Sequence, residues 1–99
     1  MVDHLVLFMF KEGHTQEQRA EVYRQLRTLP NLLSGIVMLR CGDNFADRNR
    51  GYQGGMIVTF ADRQGLEAYG PHPEHQKVAA YIRTVTDHLL VVDFEEEVS

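Results

Sequence analysis

The amino-acid sequence predicts an α+β fold whose elements follow the order β-α-β-β-α-β. Three observations lead to this prediction. First, several apolar segments have the length of a strand. Second, these segments alternate with others whose apolar residues recur every three or four positions, as in a helix. Third, glycine or proline separates the segments. This order matches the ferredoxin-like arrangement, a four-stranded antiparallel sheet with its helices on one face. The length of 99 residues suits one domain, residues 1–99.

The first strand is predicted at residues 5–10, a continuous apolar run. Alternation along a strand assigns the side chains of this region to two faces: His4, Val6, Phe8 and Phe10 to one, and Leu5, Leu7 and Met9 to the other. The first helix is predicted to begin after Thr15, with Gln18 at the capping-box position. We expect Pro30 to end this helix, because the residue before a proline is disfavoured in the α region.

The middle of the chain predicts two further strands joined by a polar loop. The second strand spans 35–42, the loop 43–51 and the third strand 52–60. Adjacent glycines, Gly54 and Gly55, interrupt the third strand. They indicate either a bulge or a place where another group approaches the backbone closely.

The last third of the chain predicts two helices and a final strand. Asp62 can cap a short helix that runs to Tyr69, and Pro73 begins a helix that we expect to end near His88. The last strand spans 89–94. In this prediction seven residues share one face of the last helix: His75, Val78, Ala79, Ile82, Val85, Thr86 and Leu89. The ring of His75 is therefore predicted to point with the apolar stripe, and residues 95–99 are predicted to form a solvated acidic tail.

The first and last predicted strands are apolar on both faces, whereas helices can cover only one face of the sheet. A single chain would leave a large apolar surface in water, and such surfaces mark interaction sites. We therefore predict a homodimer whose two sheets pack face to face.

Composition excludes several classes of function. The formal net charge of −4 offers no basic surface for nucleic acid. Apolar runs are too short to span a membrane, and the start lacks a basic leader segment. Cys41 is the single cysteine, so no internal disulfide can form. We expect a cytoplasmic protein that binds neither nucleic acid nor membrane.

Several segments together resemble the stress-responsive A/B barrel (Dabb) family. They lie at 4–8 (HLVLF), 42–44 (GDN), 49–52 (NRGY), 67–69 (EAY), 72–75 (HPEH) and 90–94 (LVVDF). The resemblance extends over nearly the whole chain, and the HPEH box combined with the last strand is its most specific part. It implies ferredoxin-like subunits that dimerise through their sheets into an α/β barrel. Many members are uncharacterised, and some plant members are linked to stress.

The resemblance also implies a candidate site, because plant members include a cyclase that closes a linear polyketide by aldol condensation. Its proposed catalytic pair corresponds to His75 and Tyr69, and a pocket histidine on its first strand corresponds to His4. Another pocket histidine, on the third strand, falls at about Gly54, where this sequence departs from the cyclase. The remaining candidates for ligand binding are Phe8 and His72.

The chemistry of these side chains suits a carbonyl substrate. His75 could act as a general base, since the unperturbed histidine pKa lies near neutrality. Tyr69 could donate a hydrogen bond to a carbonyl or enolate oxygen. The hypothesis is a polyketide-cyclase-like or isomerase-like enzyme that binds a small aromatic or carbonyl ligand between sheet and helices. The alternative is a non-catalytic protein in which the histidines brace the core and the dimer itself is the function.

No cofactor is expected. His72 and His75 could share a metal ion at the start of the last helix, but a bound metal normally takes three or four protein ligands and no third is evident. Nothing in the sequence specifies a haem, although dimeric ferredoxin-like barrels do support haem chemistry.

Overall fold

The computed structural model of the protein describes residues 1–96. Its elements are β1 (Val2–Phe10), α1 (Gln16–Leu32), β2 (Ile36–Asp43), β3 (Gly54–Phe60), α2 (Arg63–Tyr69), α3 (Pro73–Val85) and β4 (Thr86–Glu95). The predicted β-α-β-β-α-β order is confirmed, with the second helical region broken into α2 and α3. The predicted acidic tail falls partly on 97–99, which lie outside the described residues.

The strands form one antiparallel sheet in the order β2-β3-β1-β4. In the register of β1, His4 lies opposite Val58 of β3 and opposite Asp93 of β4. Residues directly opposite each other in neighbouring strands share a face. The side chains of these three residues therefore point to the face that the helices cover.

The predicted start of α1 is confirmed and its predicted end is wrong. Thr15 accepts a hydrogen bond from the Gln18 backbone N–H at 3.0 Å, and the Gln18 side chain accepts one from the Thr15 N–H at 2.9 Å. Pro30 does not end the helix, which continues to Leu32. A proline in the last turn removes only one backbone hydrogen bond. Leu29, before it, is fully buried and its carbonyl still accepts from the Leu33 N–H at 2.9 Å.

The last helix also ends at a different place from the prediction. It stops at Val85 rather than near His88, so Leu89 belongs to β4 and not to the helix. The Thr86 hydroxyl donates to the Ile82 carbonyl at 2.8 Å, which satisfies a carbonyl of the last turn. From Thr86 onward the backbone pairs with β1, and these sheet hydrogen bonds replace those of the helix.

Gly54 of the glycine pair in β3 serves close packing, whereas a Cβ added to Gly55 would make only ordinary contacts, the shortest at 3.7 Å, and neither glycine forms a bulge. The register is continuous through Gly54, which lies opposite Asp43 and Phe8. A Cβ built on Gly54 would lie 2.3 Å from the Tyr23 hydroxyl oxygen, so only glycine fits there. The irregularities of the sheet lie elsewhere, between Ile36 and Met38 and between Met9 and Phe10.

The two faces of the sheet differ in burial. The face under the helices contributes the core, in which Phe8, Val58 and Phe60 pack against Val22 and Leu26 of α1. We call the other face the outward sheet face and define it by six apolar side chains: Leu5, Leu7, Ile57, Leu90, Val92 and Phe94. The last three are exposed. The predicted apolar surface opposite the helices is therefore present. Across residues 1–96, no helix has both the length and the apolar character needed to cross a membrane.

Candidate functional site

A cavity of about 220 Å³ lies between the sheet and the helices. Most of its wall is apolar and comes from three elements: Val6 and Phe8 of β1, Val78 and Ile82 of α3, and Leu89 and Val91 of β4. Four polar or charged side chains also line it: His4, Tyr69, His75 and Arg83. An apolar enclosure with a few convergent polar groups is the usual character of a small-molecule site.

The imidazole of His75 is half-buried in the first turn of α3. Pro73 starts this helix, and His72 caps it by accepting a hydrogen bond from the Glu74 N–H at 3.1 Å. The Nδ1 atom of His75 lies 2.9 Å from the carbonyl oxygen of Gly70. Because a carbonyl oxygen only accepts, this contact assigns the proton of the neutral ring to Nδ1. The lone pair is then on Nε2.

The surroundings of His75 favour the neutral imidazole. Burial lowers the pKa of His75, the hydrogen bond to Gly70 partly opposes this, and the nearby His4, Arg83 and His72 lower it further. A pKa below the ordinary value of 6.5 leaves the ring neutral at pH 7. His75 therefore has the protonation state that a general base requires.

Tyr69, the last residue of α2, lies directly against this ring. It is 3% exposed, and its ring centroid is 4.1 Å from that of His75. Its hydroxyl is buried and has no hydrogen-bond partner among residues 1–96. Burial raises the pKa of Tyr69, so the phenol keeps its proton at neutral pH. A buried donor without a partner is rare in folded proteins, since it costs roughly 1–3 kcal/mol.

His4 completes the polar group from the sheet side. Its ring centroid is 5.8 Å from that of Tyr69, in an edge-on arrangement. Its Nδ1 atom hydrogen-bonds a carboxylate oxygen of Asp93, the residue opposite it in β4. This pair orients the His4 ring from behind the cavity.

The structure brings together four of the six residues that the sequence predicted for the site: His4, Phe8, Tyr69 and His75 all line the cavity. The other two lie away from its wall. His72 caps α3, and Gly54 packs beneath Tyr23. The departure from the cyclase at Gly54 thus falls where a tyrosine of α1 fills the space.

Sequence reasoning missed two residues of this region. Asp93 is 89 positions from His4 and meets it only through the register of β1 and β4. Arg83 follows Ile82, at the edge of the apolar stripe of α3, and its cavity-lining position could have been inferred from the helical spacing to His75.

No group of three or more His, Cys, Asp or Glu side chains within residues 1–96 is arranged to hold a metal ion. Cys41 is half-buried at the far side of the core, and burial raises the pKa of its thiol. A thiol of raised pKa is a poor nucleophile at neutral pH.

Comparison with known proteins gives relatives that extend over almost the whole chain. Olivetolic acid cyclase from Cannabis sativa is 26% identical over 95 residues, which cover 94% of this chain and 94% of the relative. The stress-response A/B barrel domain-containing protein HS1 from Arabidopsis thaliana is 27% identical over 96 residues, with coverage of 95% and 88%.

A solved structure gives the same relationship in three dimensions. A dimeric ferredoxin-like protein of unknown function from Jannaschia sp. CCS1 is 29% identical, with a TM-score of 0.84 over 96% of this chain and 98% of that chain. The family model of the stress-responsive A/B barrel domain matches residues 2–96. The predicted family and ferredoxin-like fold are therefore confirmed, and the chain belongs to the stress-responsive A/B barrel domain family.

Proposed function

We propose that the cavity binds a small carbonyl compound and that His75 and Tyr69 act on it. His75 would take a proton from the carbon next to the carbonyl, and Tyr69 would donate a hydrogen bond to the oxygen that becomes negative. The observation that carries this proposal is that Tyr69, whose buried hydroxyl has no hydrogen-bond partner among residues 1–96, lines an apolar cavity and lies against a neutral imidazole. A ligand oxygen would satisfy the hydroxyl.

Electrostatics supports this division of roles. The Nε2 lone pair of a neutral His75 can accept a proton, whereas the raised pKa of Tyr69 keeps its proton available for donation. Most of the wall is apolar, and a surrounding of low polarity strengthens a hydrogen bond to a developing enolate. Aldol cyclisation, isomerisation and decarboxylation all pass through such an enolate. The name of the relative olivetolic acid cyclase favours a cyclisation among these reactions.

The volume of the cavity limits the ligand. About 220 Å³ is below the range of roughly 300–1,000 Å³ that is typical of drug-sized ligands. A compound with a single aromatic ring or a short β-keto chain suits this space. Phe8 and His4 would contact the ligand from the sheet. Gly54 and His72 do not line the cavity, so they would affect the ligand only through the residues that they contact.

The protein is further proposed to work as a homodimer through the outward sheet face. The side chains of Leu90, Val92 and Phe94 leave apolar surface of this face exposed to water, and such surfaces mark interaction sites. The Jannaschia relative, 29% identical, is described as dimeric. A cytoplasmic location is part of the same proposal, since a lone cysteine suits a reducing compartment.

A ligand-detected NMR screen of small aromatic and β-keto compounds tests the pocket. It would use the wild type, His75→Ala and Tyr69→Phe, with the fold of each checked by circular dichroism. Compounds that bind the wild type but not the folded variants would support the proposal, and turnover assays would follow. If no compound binds any of the proteins, the histidines are core braces and the assembly is the function.

A further inference from the structure

We propose that the cavity selects an anionic ligand, a small carbonyl compound that carries a carboxylate, and that Arg83 binds the carboxylate. This inference rests on the proposed function and adds the substrate class. It makes Arg83 a specificity-determining residue of the same site.

Arg83 is exposed at the edge of the cavity and, like Arg40, Arg48 and Arg50, has no ion pair among residues 1–96, but it alone of these four lines the cavity. Arg19, Arg24 and Arg63 each form an ion pair with a carboxylate. Arg83 lies in the last turn of α3, lines the cavity, and forms neither an ion pair nor a side-chain hydrogen bond within the part of the chain that the structure describes, residues 1–96. Its five guanidinium donors are therefore available to a ligand.

Among residues 1–96, no acidic side chain lines the cavity to compete for this guanidinium. The carboxylate of Asp93 in β4 hydrogen-bonds His4, and Asp93 is not among the residues that line the cavity. The remaining polar lining groups are a phenol and two imidazoles. A ligand with an apolar body and one carboxylate would match this arrangement, because guanidinium and carboxylate form paired, parallel hydrogen bonds.

Arg83 also lies near enough to His75 to act on it. The positive charge of Arg83 is one of the influences that lower the pKa of His75, together with burial and the two neighbouring histidines. A bound carboxylate would neutralise this charge. The pKa of His75 should then rise on binding, with Tyr69, His4, His72 and the Gly70 carbonyl unchanged around it, so the bound anion would strengthen the base next to it.

The experiment compares two isosteric probes, benzoylacetate and its neutral amide benzoylacetamide, by NMR titration. The proteins are the wild type, Arg83→Gln, Arg83→Lys and the control Lys77→Gln, an exposed charge on the same helix that does not line the cavity. We expect the wild type and the control to prefer the carboxylate by about tenfold. Arg83→Gln should abolish the preference and leave the affinity for the amide within about twofold, and Arg83→Lys should retain part of it.

Three outcomes would overturn the inference. If the wild type binds both probes equally, or if Arg83→Gln keeps the preference, Arg83 does not select the anion while the pocket itself stands. If neither probe binds the wild type, this inference and the proposed carbonyl site fail together. The pH dependence of the His75 ring signals, with and without benzoylacetate, gives an independent readout, since the pKa should rise in the wild type and not in Arg83→Gln.

Discussion

The Tyr69 ring lies against the His75 ring with centroids 4.1 Å apart, and the Tyr69 hydroxyl is buried without a hydrogen-bond partner among residues 1–96. The buried hydroxyl lowers the free energy of unfolding, and the same hydroxyl is the group that we propose donates to a ligand. A buried hydrogen-bond donor that lowers stability and lies beside a neutral base is typical of a binding site.

Replacing Tyr69 with phenylalanine should leave the free energy of unfolding unchanged or raise it by about 1 kcal/mol, since it removes an unsatisfied buried hydroxyl. Ligand binding or turnover should fall about tenfold or more, because the donor to the ligand oxygen is lost. Urea denaturation and NMR titration measure the two effects.

Tyr23→Phe is the matched control, because the Tyr23 hydroxyl donates to an Asp43 carboxylate oxygen at 2.7 Å. This variant should lose about 1–2 kcal/mol of stability and keep its ligand affinity. Equal losses of stability in the two variants would contradict the view that Tyr69 lacks a partner.

The low pKa of His75 predicts a dependence of stability on pH. The folded protein holds this ring at a pKa below 6.5, the ordinary value that it regains on unfolding. The unfolded chain therefore binds the proton more readily. The stability that the neutral His75 ring contributes above pH 6.5 is therefore lost as the pH falls through the pKa that the ring has in the folded protein.

Denaturation of the wild type and of His75→Gln between pH 5 and pH 8 would isolate this contribution. We expect the stability of the wild type to fall more steeply on acidification than that of the variant. The difference includes the influence of the groups that face the ring, His4, His72 and Arg83. Parallel profiles for the two proteins would show that burial does not disfavour the protonated ring.

Gly54→Ala should destabilise the protein by about 1–3 kcal/mol, since the added methyl group would lie 2.3 Å from the Tyr23 hydroxyl oxygen and 3.1 Å from the Phe10 ring. Gly42→Ala is the control, because Gly42 lies in β2 and an added Cβ there would have no atom within 4 Å. That variant should be unchanged or slightly more stable. Thermal denaturation of both checks the prediction, which fails if Gly54→Ala is as stable as the wild type.

The proposed dimer predicts the effect of a charge on the outward sheet face. Leu90→Glu should convert a dimer into a monomer in sedimentation experiments at micromolar concentration, because a carboxylate would have to be buried between the sheets. Ala20→Glu adds the same charge at an exposed position of α1 and should remain dimeric. A monomeric wild type, or a Leu90→Glu variant that still dimerises, would argue against this interface.

Much of the fold was predictable from local patterns. The capping box of Thr15 and Gln18, the two faces of β1 and the helix start at Pro73 follow from the chemistry of a few adjacent residues. The errors occurred where distant contacts outweigh local preference. Burial of Leu29 carries α1 through Pro30, and pairing with β1 draws the chain into a strand at Thr86.

The site was predictable only in part. The sequence by itself determined which segments form strands and helices and which faces are apolar, because hydrophobic periodicity is a property of neighbouring residues. Only the tertiary structure decided that Asp93 hydrogen-bonds His4 and that Gly54 packs beneath Tyr23. These contacts depend on strand register and on how the helices dock, and both are set by packing between segments far apart in the chain.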